Sequence, residues 1–255
     1  MRVILTRTNS SESPRNMTVV VAFNSIFFGG VDTLLPVMEQ SFPELGLTRE
    51  RIALNEWIES ILYFPEFRLD SIEGLLNRTQ PDVRYFKATS DYIQKPIPEH
   101  VLRGMFRRFF EAEAEEAVLV LNPYGGRMAE ISPSAIPFPH RKGNLYSILY
   151  WVYWREENAG NSDRYIDWIR RFFRYMTPYV SKNPRGAYIN YRDLDLGVNN
   201  DVGPTSYAQA STWGFPYFKK ANFDRLVRVK TRVDPRNFFR NEQSIPPVHS
   251  SWSSM

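Results

Sequence analysis

The first third of the chain combines two β-type apolar runs with one helical pattern. Residues 2–8 and 17–28 are rich in Val, Ile and Phe, and a polar stretch containing Pro14 separates them. This arrangement is typical of two strands joined by a long loop. Residues 31–42 carry apolar side chains at helical spacing, which predicts a helix. Beyond it we expect a short strand at 52–54 and a helix at 57–64.

The middle of the chain contains three further strand patterns. We expect strands at 83–93, 117–121 and 146–154, and a helix at 98–110 that begins close to a proline. In the last of these strands, a period of two places Tyr146, Ile148, Tyr150, Val152 and Trp154 on one side and Ser147, Leu149, Trp151 and Tyr153 on the other. Both sets are mainly apolar, which predicts an inner strand covered on both faces.

The C-terminal part is predicted to be helical. One helix is expected to begin by capping near Asn161 and to end before Pro178, and two more are expected at 206–218 and 222–232. The strands alternate with helices but show no βαβ rhythm. This order predicts an α+β fold in which helices cover one face of an antiparallel sheet. A polar stretch after Gly197 is the best candidate for a domain boundary.

Composition narrows the classes of partner and site. The net charge of +4 comes from 32 basic and 28 acidic residues of interspersed sign, which does not indicate a nucleic-acid partner. No apolar run is long enough to predict a membrane span. The chain has no cysteine, so disulfides, thiolate metal sites and cysteine nucleophiles are excluded. The aromatic share of 15% indicates either a thick core or a pocket for flat organic ligands.

Known catalytic and cofactor motifs are mostly missing. The three histidines are far apart and fit no zinc spacing, so no metal site is predicted, and His140 is interpreted either as a loop residue bonded to backbone or as a pocket donor. Neither glycine pair has the spacing that cradles phosphates. Asp193 and Asp195 suggest either acid–base or metal chemistry, or bonds to nearby amides and Arg192. Tyr188 and Tyr191 are interpreted as core residues unless a lowered pKa makes one a general base.

Two long motifs carry a family resemblance. They are Tyr-Ile-Asn-Tyr-Arg-Asp-Leu-Asp-Leu-Gly at 188–197 and Val-Asp-Pro-Arg-Asn-Phe-Phe-Arg-Asn-Glu-Gln-Ser-Ile-Pro-Pro at 233–247. Further segments at 23–32, 123–128 and 136–141 follow in family order. Together they resemble the C-terminal half of plant berberine bridge enzyme-like, FAD-linked oxidases, a family that includes monolignol oxidases and cannabinoid synthases.

The resemblance implies a division of labour along the chain. Residues 1–195 are expected to form the substrate-binding domain, and residues 196–255 a helical segment that packs on an FAD-binding domain. Tyr191 matches the family's catalytic base, which takes a proton from a phenolic or alcohol substrate while hydride moves to the flavin. Tyr124, Ser147, Leu149 and Tyr188 match substrate-site positions, and Asn190 with Tyr188 matches positions near FAD. The family location is secretion to the cell wall or vacuole.

Departures from the family pattern support an alternative to an active oxidase. The flavin-anchoring half is not among these 255 residues, and Ser147 and Leu149 stand where relatives often carry Lys, Glu or Gln. Pro216 is expected to kink its helix. The alternative is therefore a truncated, inactive member that binds a small aromatic ligand or a partner domain. On either reading we expect an exposed apolar sheet face at Ser147, Leu149, Trp151 and Tyr153, and along 206–239.

Overall fold

The computed structural model describes residues 1–11, 16–52, 60–63, 72–79 and 83–248. The chain divides into two compact units, one formed by Asn24–Val83 with Met1, the other by Arg2–Phe23 with Arg84–Met255. The predicted strand at 52–54 and helix at 57–64 fall mostly outside the described residues. Ile61–Tyr63, which is described, forms a single 3₁₀ turn.

The first unit contains the helix that its apolar spacing predicts. Helix α1 spans Val31–Ser41 and begins directly after Gly30, whose backbone is extended. Short 3₁₀ turns follow at Pro43–Leu45, Arg49–Arg51 and Ile72–Leu76.

The second unit is built on an antiparallel sheet. Among the described residues the strands are β1 (Arg2–Asn9), β2 (Met17–Asn24), β3 (Tyr85–Ile93), β4 (Ala117–Pro123) and β5 (Tyr146–Trp154). Their order across the sheet is β2-β1-β4-β5-β3, with antiparallel pairing of β1 with β4, β4 with β5 and β5 with β3. The prediction that β5 is an inner strand is confirmed, and β3 forms one edge of the sheet.

Three of the four helices described in this unit were predicted from the sequence, and the one-turn helix at Arg127–Glu130 was not. They are α2 (Glu99–Arg108), the one-turn α3 (Arg127–Glu130), α4 (Ser162–Met176) and α5 (Tyr207–Val233). Short 3₁₀ turns lie at Ala112–Ala114, Glu156–Asn161, Thr177–Tyr179 and Leu194–Leu196. Helix α5 is two helices joined at Lys219, whose φ of 56° and ψ of 161° are not helical. Two helices were predicted here, and the break follows Pro216 by three residues.

Helices α2 and α4 pack on one face of the sheet. Apolar side chains of the sheet meet those of the helices in one large cluster, which includes Leu119, Ile148, Tyr150, Val152, Met105, Phe109, Trp168, Ile169 and Phe172. All of these side chains are buried. We call this side of the sheet the helix face and the opposite side the outer face. The predicted α+β class, with helices covering one face, is confirmed.

The outer face is less exposed than the sequence suggested. Ser147 and Leu149 are each only 2% exposed and Tyr153 is 8% exposed, so the expectation of an open apolar face is wrong for these residues. The reason is that Leu149 belongs to a second buried cluster on which the ring of Tyr191 packs. The guanidinium of Arg84 lies 4.1 Å from the ring centroid of Tyr153 and covers it.

A third cluster joins the C-terminal segment to the residues just before it. Ala187, Ala210, Trp213, Tyr217, Phe223 and Val227 are buried together, and Ile189 and Leu196 pack against them. The exposed large apolar side chains of this segment include Val202 at 91%, Val233 at 66%, and Phe238 and Phe239 at 74% each. The expectation of an exposed apolar surface along 206–239 is therefore confirmed only near its end. Within the described residues, no helix combines the length and apolar character that crossing a membrane requires.

Candidate functional site

A long segment between α4 and α5 lies along the edge strand β3. The Ser181 N–H donates to the Tyr92 carbonyl over 2.8 Å, and the Tyr188 N–H donates to Ser90 Oγ over 2.8 Å. Further along, Lys87 Nζ lies 2.5 Å from Asp193 Oδ1. The segment thus runs antiparallel to β3: its first residues contact the end of β3, and its last residues contact the beginning of β3. We call residues 181–195 the edge segment.

The edge segment contacts β3 from both faces because successive side chains of a strand point to opposite sides. Ser90 lies on the outer face, next to the cluster that Tyr191 covers. Lys87 lies on the helix face, where it lines a small cleft with Ile169 and Arg170 of α4. The segment therefore presents its tyrosines to the outer face and its aspartates to the helix face.

Five aromatic rings come together on the outer face. They are Tyr92, Tyr124, Phe138, Tyr188 and Tyr191, which we call the tyrosine cluster. The ring centroids of Tyr188 and Tyr191 are 5.1 Å apart, and Phe138 lies 5.7 Å from Tyr188 and 6.4 Å from Tyr124. Tyr92 and Tyr124 meet edge to face at 5.6 Å. These separations are typical of packed aromatic pairs, so the cluster is a defined assembly of rings.

The remaining residues suggested by the sequence lie around this cluster. The hydroxyls of Ser147 and Tyr124 are hydrogen-bonded, and Leu149 lies beneath Tyr191. Asn190 is exposed, and its Nδ2 donates to the Tyr188 hydroxyl over 2.8 Å. The fold thus brings Tyr124, Ser147, Leu149, Tyr188, Asn190 and Tyr191 into one region. Ser147 and Leu149 form its buried floor.

The phenol of Tyr191 is held in its neutral form. Burial raises its pKa above that of a free tyrosine, and a hydrogen bond with the Asn122 side chain opposes part of that rise. Nearby Tyr188 and Tyr124 also raise the pKa of Tyr191, whereas the positive charge of Arg2 lowers it. Burial likewise raises the pKa of Tyr124. Both phenols are therefore protonated at neutral pH.

His140 links the tyrosine cluster to helix α5. Its ring stacks on Tyr92 at 4.1 Å, and its Nε2 forms a 2.9 Å hydrogen bond with the Tyr217 carbonyl. The neighbouring Pro216 carbonyl accepts from the Ala187 N–H over 3.1 Å. Burial lowers the pKa of His140 to about 4, so the ring is neutral. Of the two interpretations of His140, the structure supports a loop residue bonded to backbone.

The acidic pair is part of an ion-pair network. Lys87 Nζ contacts Asp193 at 2.5 Å and Asp195 at 3.1 Å, and Arg170 binds Asp195 through two nitrogens at 2.8 and 2.6 Å. Arg170 and Lys87 lower the pKa of Asp195 to about 2 although burial opposes them. Arg192 is not a partner of these acids and lies 3.9 Å from Glu242 instead. The described residues contain no group of three His, Asp or Glu side chains that could hold a metal ion.

The motif search missed several residues that build this region. Lys87, Ser90 and Asp91 are polar positions in β3 that become buried or nearly buried, and Asn122 on β4 reaches Tyr191. Polar side chains inside a predicted strand were a usable signal, because such groups need partners when they are buried. Phe138 gave no such signal, since an isolated aromatic in a proline-rich loop has many explanations.

Comparisons with known proteins relate this chain to one family. Residues 187–246 match the family model described as "Berberine and berberine like". The chain is 49% identical over 232 residues to berberine bridge enzyme-like 23 of Arabidopsis thaliana, which covers 91% of this chain and 43% of that protein. It is 49% identical over 242 residues to tetrahydroberberine oxidase of Berberis wilsoniae, covering 93% of this chain and 45% of that protein.

A solved structure agrees with the sequence comparisons. The structure of berberine bridge enzyme-like 28 from Arabidopsis thaliana superposes with a TM-score of 0.86 at 45% identity, covering 97% of this chain and 50% of that one. The chain therefore spans about half the length of the relatives that it matches. Nearly all of its own residues take part in the match.

Proposed function

We propose, on the premise that this chain corresponds to the C-terminal half of the berberine bridge enzyme-like family, that it carries the substrate side of a flavin-linked oxidation. The reaction is the oxidation of a phenolic or alcohol substrate with oxygen as the final acceptor. The single observation that supports this most strongly is the tyrosine cluster. It assembles the family-motif tyrosines Tyr188 and Tyr191 with Tyr124 on the outer face of the sheet.

Tyr191 is the general base in this proposal. The substrate loses a hydroxyl proton and a carbon-bound hydride, and a carbonyl group forms. The Tyr191 phenolate oxygen takes the proton, and FAD, when bound, supplies the hydride acceptor. Because burial raises the pKa of Tyr191, its phenolate is scarce at neutral pH and the reaction is expected to favour alkaline pH.

The other residues orient the substrate and face the cofactor. Aromatic rings around Tyr124 and Tyr188 suit a flat phenolic ligand, since offset and edge-to-face contacts stabilise such rings. Ser147 holds the Tyr124 hydroxyl, and Leu149 supports Tyr191 from below. Asn190 is exposed beside the Tyr188 hydroxyl, where it can donate to a flat heterocycle such as the flavin ring.

The proposal assigns cofactor anchoring to a separate part of the protein. The described residues offer aromatic faces and donors that fit a flavin ring, but they include no glycine-rich loop for its pyrophosphate. We therefore propose that an N-terminal FAD-binding half, of the length that the relatives have beyond this match, completes the site. From the resemblance to the family, we also propose that the protein is secreted and resides in the cell wall or the vacuole.

The test is a chimera that joins the N-terminal half of a relative to this chain. In it we expect Tyr191→Phe to lower turnover about 10²–10⁴-fold, because the ring is kept and the proton acceptor is lost. The bound-flavin absorption spectrum should stay unchanged. Tyr85→Phe, on an exposed ring of β3, is the matched control and should leave turnover as in the parent. Equal turnover of Tyr191→Phe and the parent would show that Tyr191 is not the base.

A further inference from the structure

We propose that Lys87 is a positioning residue for the tyrosine cluster, because it fixes the edge segment to β3 through Asp193. The catalytic meaning of this inference depends on the proposed function, whereas the positioning itself can be tested in this chain alone. Lys87 belongs to none of the family motifs identified from the sequence, and it lies on the opposite face of the sheet from the tyrosines.

The ion pair between Lys87 and Asp193 is short and nearly dry. Lys87 Nζ lies 2.5 Å from Asp193 Oδ1, and the two side chains are 15% and 2% exposed. Exposed ion pairs contribute little to stability, but removing one partner of a buried pair leaves an uncompensated charge. A buried, paired aspartate therefore stays close to its lysine, and the residues joined to it stay with it.

Asp193 is also fixed through its backbone. Its N–H donates to the Tyr217 hydroxyl over 2.9 Å, and its carbonyl accepts from Gln243 Nε2 over 2.9 Å. Both of those contacts come from the C-terminal segment. Lys87 supplies the contact from the sheet and so connects the position of Asp193 to the strand that supports the tyrosine cluster.

Asp193, the partner of Lys87, is close enough to Tyr191 along the chain for this connection to matter. Tyr191 is two residues before Asp193, and the Tyr188 N–H is bonded to Ser90 on the other face of the same strand. The edge segment is thus attached to β3 at both ends of the stretch that carries Tyr188 and Tyr191. Misplacement of a reacting group by about 1 Å can lower a rate about 10²-fold. Loss of the Lys87 contact is therefore expected to displace Tyr191, although Lys87 itself does not contact the substrate.

The experiment follows the Tyr191 phenol by NMR in this chain with tyrosines labelled at ¹³Cζ. Tyr191→Phe assigns the resonance. The compared variants are Lys87→Met, which removes the charge, and Lys87→Arg, which keeps it. The matched control is Lys220→Met, since Lys220 forms an exposed pair with Asp224 at 2.7 Å, away from β3. Tyr188, Tyr124 and Arg2, the charged or titratable neighbours of Tyr191 on the outer face, are present in all of them.

The expected direction separates positioning from electrostatics. Release of the edge segment exposes the phenol, so in Lys87→Met the pKa of Tyr191 should fall toward the ~10 of a free tyrosine and its resonance should broaden. Loss of a positive charge alone would raise that pKa instead. Lys87→Arg should restore most of the parent behaviour, and Lys220→Met should leave the Tyr191 resonance unchanged.

An unchanged Tyr191 resonance in a folded Lys87→Met variant would overturn the inference, and so would a rise in its pKa. If Lys87→Met does not fold, the double variant Lys87→Met/Asp193→Asn gives the same readout, because it leaves no buried charge without a partner. No flavin is needed for these measurements. A positioning result can therefore be positive even if the chimera shows that Tyr191 is not the base.

Discussion

At the scale of single residues, the pKa of Tyr191 is shifted in the direction that opposes its proposed role as a base. A general base at neutral pH needs a lowered pKa, yet burial in this chain raises the pKa of Tyr191. The groups that act in the useful direction are the hydrogen bond with Asn122 and the charge of Arg2, and neither residue lies in the tyrosine motif. The groups that lower the pKa of Tyr191 therefore come from strands β1 and β4, far from it in sequence.

We predict that Asn122→Leu raises the pKa of Tyr191 further. The substitution keeps the size of the side chain but removes the hydrogen bond that stabilises the phenolate. In the chimera the rise of the rate with pH should shift to higher pH, with little change in the rate at its plateau. Rates measured across pH 7–11 would check this. A profile that stays in place would show that the Asn122 bond does not reach the phenolate.

At the scale of elements, the break in α5 is the least regular feature. Lys219 adopts a backbone conformation with positive φ that residues other than glycine rarely adopt. The break allows the Pro216 and Tyr217 carbonyls to accept bonds from Ala187 and His140. The sequence predicted two helices and a kink at Pro216, but it could not place the break at Lys219, because that depends on these distant partners.

We predict that Lys219→Gly is neutral or stabilises the chain by up to about 2.5 kcal/mol. Strain of this kind costs about 1–3 kcal/mol, and glycine relieves it while losing about 0.5–1 kcal/mol through the freedom of the unfolded chain. Lys219→Ala is the matched control, since it removes the same charged side chain and keeps the strain. Urea unfolding of both variants would check the difference. Equal stability of the two would contradict the strain argument.

Strand and helix types were predictable because their periodicities are strong, as in β5, where alternation placed every side chain on its observed face. The resemblance supplied the tyrosine positions. What remained hidden was the support around them, including Lys87 and Ser90. Those contacts join residues about a hundred positions apart, and spacing along the chain does not encode such pairs.

At the scale of the whole molecule, a second ion pair with a buried aspartate joins the edge segment to the core. Arg185 binds both oxygens of Asp91 at 2.6 Å and also donates to the Phe173 carbonyl at 2.9 Å. Asp91 is fully buried beneath α4. Burial raises the pKa of Asp91 to about 6, although Arg185 opposes that rise. The stability of the molecule therefore depends on this pair in a pH-dependent way.

We predict that Arg185→Met destabilises the chain by about 3–5 kcal/mol at pH 7, because a buried charge loses its partner. The folded pKa of Asp91 lies above its unfolded value of about 4, so its stabilising contribution is present below pH ~4 and is lost as pH rises through about 6. Without Arg185 that pKa rises further, so the penalty should be larger at pH 7 than at pH 4.

Chemical denaturation at the two pH values would check this prediction. Arg103→Met is the matched control, because Arg103 pairs with Glu99 on an exposed helix surface and its loss should cost little at either pH. A penalty for Arg185→Met that does not change between pH 4 and pH 7 would contradict the assignment of the pH dependence to Asp91.

The edge segment has a further consequence for solubility. An edge strand of a sheet presents unpaired N–H and C=O groups that can pair with a strand of another molecule, which leads to aggregation. In this chain the edge segment lies along β3, and three side chains of that strand, Lys87, Ser90 and Asp91, hold it there. Substitutions that release the segment should therefore expose a strand edge and produce concentration-dependent oligomers. The contacts that position Tyr188 and Tyr191 therefore also prevent edge-to-edge association between the sheets of two molecules.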